Sequence, residues 1–139
     1  MTTSNRGWLR LSIPEEWDAV GEGIWTSPHG GHLTVSDVLR SETEITPEIA
    51  VEAHESWCEA HRMNSQQIRM EELPNRLCVL RSFGETQTDE FMMVAHFWLQ
   101  TQLSLLVFRC PLERLSDDDL ADVLNAILEA KPVEGNSKR

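Results

Sequence analysis

At 139 residues the chain has the length of one domain, and its 40% hydrophobic and 25% charged content is ordinary for a folded globular protein. Twelve Lys and Arg against 23 Asp and Glu leave a net charge of −11. Phosphate backbones are gripped by clustered basic side chains, so the balance argues against nucleic acid and an anionic membrane as partners; the acidity serves solubility or, on a sharper reading, a partner with a basic surface.

Residues 1–7 are polar and are expected to be a flexible N-terminus. "MTTSNRGW" has no apolar signal core, and the longest apolar run, "FMMVAHFWL", is far short of the ~20 residues a membrane helix needs. "WLRLSIP" then alternates, with Leu9, Leu11 and Ile13 on one side and Trp8, Arg10 and Ser12 on the other, as a half-buried strand does. "IPEEWDAVGEG" is rich in turn residues, and Glu15 and Glu16 there are expected to face solvent. Short strands follow at "IWTS" and "LTVSDVL", joined through "PHGGH".

Thr46 is suited to cap a helix, Pro47 to begin it and Glu48 to meet its positive end. This helix is expected to run to about Arg62. Beyond it, "QQIRMEEL" and "RLCVLRSF" form a strand pair turned by Pro74 and Asn75. "DEFMMVAHFWLQ" and "LSLLVFRC" complete a meander, with "GETQT" and "TQ" as its turns. A second helix starts at Ser116, with Asp119 three residues on and Leu115 and Leu120 as a hydrophobic staple. Leu120, Val123, Leu124, Ile127 and Leu128 form its apolar stripe. Pro132 ends it, and residues 132–139 are expected to be a flexible tail.

The order βββαββββα across residues 8–131 gives a single α+β domain. Its sheet is mainly antiparallel, of about six to seven strands, with one helix on each face as an α/β/α sandwich. The strand at 91–99 is apolar on both sides: Phe91, Met93, Ala95, Phe97 and Leu99 one way, Met92, Val94, His96 and Trp98 the other. It is therefore expected to be central and covered on both faces. Six strands span about 29 Å at ~4.8 Å each, whereas a helix covers only ~10–12 Å. Loops, a second copy, a partner or a ligand must cover the remainder, and Met92, Val94, His96 and Trp98 are candidate partner-binding residues.

"HESWCEAH" places His54, Cys58 and His61 at helical spacings, residue types that bind transition metals or act as nucleophiles. On a helical wheel they border a buried face of Ile49, Ala50, Ala53, Trp57 and Ala60. His54 and His61 lie about 10.5 Å apart along the axis, so one straight helix cannot close all three on a metal. His29, His32 or His96 would have to supply further ligands. Cys58 also lies towards the helix C-terminus, where the dipole disfavours a thiolate. Asp117, Asp118 and Asp119 have carboxylates enough for Mg²⁺, but in the first turn of a helix they complement its dipole. No phosphate-binding loop, nucleophile elbow, HExxH or CxxC pattern is present. No catalytic residue, cofactor or metal is therefore assigned, and Cys58, Cys78 and Cys110 read as reduced thiols of a cytoplasmic protein.

"LSIPEEW" resembles the apolar-Pro-x-x-Trp opening of PsbP-like domains, among them the bacterial DcrB-like proteins and the Eag chaperones of type VI secretion. Ile13, Pro14 and Trp17 carry the likeness, which with length and element order extends over about residues 8–130. It implies an antiparallel sheet sandwiched by helices, without catalytic residues and used to bind proteins. The chain lacks the lipoprotein signal of many DcrB-like members, and no family binding residue can be transferred to it. The resulting expectation is a non-catalytic, acidic protein-binding domain: a chaperone, adaptor or immunity-type partner of another protein, or a homodimer. The alternatives are a metal-dependent or thiol enzyme using His54, Cys58 and His61, and a domain binding a small ligand between sheet and helix.

Overall fold

Ten segments of the chain pair as strands in the computed structural model, which describes residues 2–6, 8–61, 69–73, 76–85 and 89–133. In chain order they are β1 (Thr2–Arg6), β2 (Leu9–Ile13), β3 (Asp18–Gly21), β4 (Ile24–Thr26), β5 (His32–Arg40), helix α1 (Pro47–Ala60), β6 (Arg69–Leu73), β7 (Arg76–Glu85), β8 (Glu90–Leu99) and β9 (Gln102–Pro111). A short 3₁₀ turn (Leu112–Arg114), helix α2 (Asp117–Glu129) and β10 (Lys131–Pro132) complete the chain. The expected end of α1 at Arg62, the start of "QQIRMEEL", the Pro74–Asn75 turn, most of "GETQT" and the tail from residue 134 lie outside the described residues.

The main sheet has seven antiparallel strands in the order β3-β4-β5-β9-β8-β7-β6. It is an α+β fold with a helix against each face. β8 is interior, as its two-sided apolar sequence requires, with Val94 opposite Val107 of β9 and Arg81 of β7. One face, with Leu33, Val35, Leu80, Met93, Ala95, Phe97, Leu106 and Phe108, holds the main core. Val123, Ala126 and Ile127 of α2 pack into that core together with Leu9, Leu11 and Ile13 of β2. The other face carries α1 over β7, β8 and β9, above Val79, Val94, Trp98, Leu103 and Val107.

The chain ends differ from expectation. Thr2–Arg6 is not loose but pairs along all of β2, and Lys131 and Pro132 pair with β2 from the other side. The N–H of Val133 adds a bond to the Trp8 carbonyl 2.8 Å away. This three-stranded sheet, β1-β2-β10, supplies the cover that α2 alone is too narrow to give. Its outer strands have no hydrophobic period to betray them, because backbone pairing to β2 holds them. β3 is hidden for the same reason: all four of its residues are exposed, and it is defined by pairing to β4 across a bulge.

The remaining open surface lies beside α1. His32, Thr34 and Ser36 of β5 pair with Arg109, Val107 and Leu105 and so point to the α1 side, and all three are exposed. Polar side chains there make burial unnecessary over most of the uncovered strip. Ile24 of β4, opposite Thr34, is its apolar exception at 39% exposed.

A buried histidine pair beneath the first helix

Thr46 caps α1 by accepting from the Ile49 N–H at 3.2 Å, and Pro47 occupies the first turn. The stripe that enters the protein is Ala50, His54 and Cys58, each 0% exposed. The wheel reading placed His54 and Cys58 on the border and buried Ile49 and Ala60, so it is rotated from the true face. Ile49 is 37% exposed, and Ala60 is exposed too. The physical reason is size. Ala50 and Cys58 let the helix approach the sheet, whereas Trp57 stays half-buried and packs against the cluster of Cys58, Val94 and Val107. His54 fits the centre because the sheet offers it a partner.

That partner is His96 of β8, 1% exposed, with the two Nδ1 atoms 2.9 Å apart and the rings edge to face. At this distance one Nδ1–H donates and the other Nδ1 accepts, so the accepting ring is neutral. Burial, then the charges of His96 and Arg81, push His54 down to about 3. Burial pushes His96 down to about 4. Cys58 Sγ lies 3.8 Å from His54 Nε2, on the far edge of that ring from His96. Burial raises the Cys58 thiol above its ordinary value, opposed by the charge and hydrogen bond of Arg81 on β7. The buried Arg81 Nε has no hydrogen-bond partner of its own.

His61, the third member of the sequence motif, does not join this cluster. Its Nδ1–H donates to the Trp57 carbonyl at 2.8 Å, and its exposed ring stacks on the Trp57 indole with centroids 3.8 Å apart. His32 stays on the open strip. His29, at the β4–β5 turn, reaches Asp119 Oδ1 at 3.2 Å instead. Asp119 therefore completes only half of a capping box: its N–H donates to Ser116 Oγ at 3.0 Å, while its carboxylate turns to His29 and leaves Oδ2 buried without a partner. Of the four residues proposed for partner contact, Val94, His96 and Trp98 are buried under α1, and Met92 is half-buried at its edge.

The chemistry follows from this geometry. Cys58 and His96 engage opposite nitrogens of His54, so the three cannot converge on one ion, as a metal with ligands near 2.0–2.3 Å demands. Among the described residues no group of three or more His, Cys, Asp or Glu side chains is placed to hold a metal. A buried thiol with a raised pKa is a poor nucleophile. What the arrangement does well is store two neutral imidazoles whose protonation the fold resists. The signal for it was a single His in an otherwise apolar central strand, since a polar group there needs a partner. Arg81 gave no signal, because Arg in a strand reads as solvent-facing.

"IPEEW" acts as a packing device here. The Trp17 N–H closes a turn onto the Pro14 carbonyl at 3.1 Å, and its Nε1–H donates to Asp122 of α2 at 3.1 Å. Glu15 and Glu16 are exposed, as expected.

No protein-family model and no curated protein matches the chain. Among solved structures it is similar to a protein of Bacteroides thetaiotaomicron VPI-5482 determined at 1.50 Å, with a TM-score of 0.56 and 12% identity. The match covers 95% of this chain and 47% of that one, so the chain spans about half the length of that protein. At such identity the likeness concerns the fold alone. Among the described residues no helix is long and apolar enough to cross a membrane.

Proposed function

We propose that the chain is a non-catalytic, acidic protein-binding domain of the chaperone or adaptor kind, acting in the cytoplasm. The observation that carries this reading is the uncovered sheet edge beside α1. Ile24 is 39% exposed there, and Val20, on edge strand β3, is 59% exposed. Between Arg10 and Arg40 the chain has no Lys or Arg, and Glu15, Glu16, Asp18 and Glu22 are exposed in the segment that carries these apolar residues. Apolar side chains with exposed carboxylates close by in the chain suit a partner with a basic rim. The likeness of "IPEEW" to PsbP-like domains points the same way. Three buried thiols outside any disulfide are in keeping with a reducing compartment.

Light scattering on the purified chain, alone and mixed with products of the adjacent genes, tests the reading. The expected result is a complex or a dimer that Val20→Glu with Ile24→Glu weakens at least tenfold and that high salt also weakens. A strict monomer that binds none of these products overturns it.

A further inference from the structure

The contact between α1 and the sheet has an unusual make-up. Its fully buried residues from the helix are Ala50, His54 and Cys58, with Val51, Ala53 and Trp57 only half-buried, so the helix contributes little large apolar surface. The buried residues on this side form two small clusters, Ile45–Ala50–Val79–Trp98–Leu103 and Cys58–Val94–Val107. The main core lies across the sheet and includes no residue of α1. At the centre of the weaker side sits the histidine pair. Cooperative units held by few buried apolar contacts open at lower free energy than the whole domain.

We propose that α1 is a proton-released cover: proton uptake at the His54–His96 pair detaches the helix from β7, β8 and β9 while the rest of the domain stays folded. The groups facing the pair set the direction. Cys58 lies on α1 itself, and Arg81 of β7 presents a guanidinium. β9 places apolar Leu103, Leu105 and Val107 on this side. Among the described residues the carboxylate acting here is Glu55, which is exposed and bears on Cys58. One added proton therefore makes a buried cation beside Arg81, and a second leaves two N–H groups facing each other. With the helix detached, His54 on α1 and His96 on β8 both regain water and titrate near 6.5. Between pH 7.5 and pH 5 that linkage raises the open population about 30-fold for one imidazole and roughly a thousandfold for both. Detachment bares Val79, Val94, Trp98 and Leu103. Nothing in this mechanism depends on the partner proposed above.

The three cysteines report it directly, since Cys58 lies on the buried face of α1 whereas Cys78 and Cys110 belong to the main core. The wild-type chain is labelled with 4,4′-dithiodipyridine, which reacts in mild acid, at pH 7.5 and pH 5. Sites are assigned by peptide mass spectrometry, and rates are referred to the urea-unfolded chain. The expected result is a loss of Cys58 protection of 100-fold or more at pH 5, with Cys78 and Cys110 still protected. His54→Gln with His96→Gln is expected to remove the pH response; the wild-type labelling decides the matter even if that variant fails to fold. Unchanged Cys58 protection, or simultaneous exposure of all three thiols, overturns the proposal.

Discussion

Single residues in this protein are constrained by the atoms packed directly against them, and Gly31 is the sharpest case. A Cβ there would stand 2.5 Å from Cε1 and 2.6 Å from Cζ of Phe108. That ring is fully buried and flanked by Trp17 and Phe91, with centroids 5.9 and 6.4 Å away, so it has nowhere to move. The Gly31 N–H also donates to Ser27 Oγ at 2.7 Å, which fixes the backbone from the other side. Gly31→Ala is therefore expected to cost about 1–3 kcal/mol by overpacking, seen as a lower urea midpoint with an unchanged slope. A midpoint equal to wild type would show that the turn can yield. The sequence marks Gly31 as part of a turn, but not that an aromatic ring from β9 presses on it.

At the scale of elements, the two helices are capped alike yet differ in what they hold. Ser116 Oγ accepts from the Asp119 N–H at 3.0 Å and Thr46 accepts from Ile49 at 3.2 Å. Replacing either cap by Ala is expected to cost its helix about 1 kcal/mol. α2 packs into the main core, so Ser116→Ala should lower global stability by about that amount in urea. α1 covers a separate and thinner layer, so Thr46→Ala should instead speed amide exchange across residues 50–60 with a smaller shift of the urea midpoint. Equal midpoint losses, with α1 exchange unchanged, would argue that the two layers unfold as one. Both caps and both helices were legible in the sequence, because capping and helical period are local signals. The rotation of α1 was not legible, because the sheet beneath chose Ala50, His54 and Cys58 over the larger Trp57.

For the whole molecule, the histidine pair makes stability depend on pH with a definite sign. Both folded pKa values lie below the ordinary 6.5, at about 3 and about 4, so folding favours the neutral forms. That stability is fully present above pH 6.5 and is lost as pH falls towards the folded values. From pH 7.5 to pH 5 the pair is expected to withdraw up to about 4 kcal/mol, a large share of the margin of a domain this size. Urea midpoints at the two pH values measure it, and the His54→Gln/His96→Gln variant isolates it from the carboxylates. A wild-type slope no steeper than that of the variant would mean that the pair takes up its protons without leaving the fold.

The sequence by itself determined the α+β class, the two-faced central strand, both helices with their caps, and the acidic character. These follow from period, capping and composition, which are properties of neighbouring residues. It also marked His54, Cys58 and His96 as chemically notable, yet it could not join them. His54 and His96 stand 42 positions apart and meet only because β8 passes beneath α1 in one particular register. The tertiary structure decided that His61 turns outward, that the polar chain ends become strands, and that the open strip lies over β5 and β4. Pairing between distant backbones and the room beneath a helix are settled by the whole fold, and no local pattern encodes them.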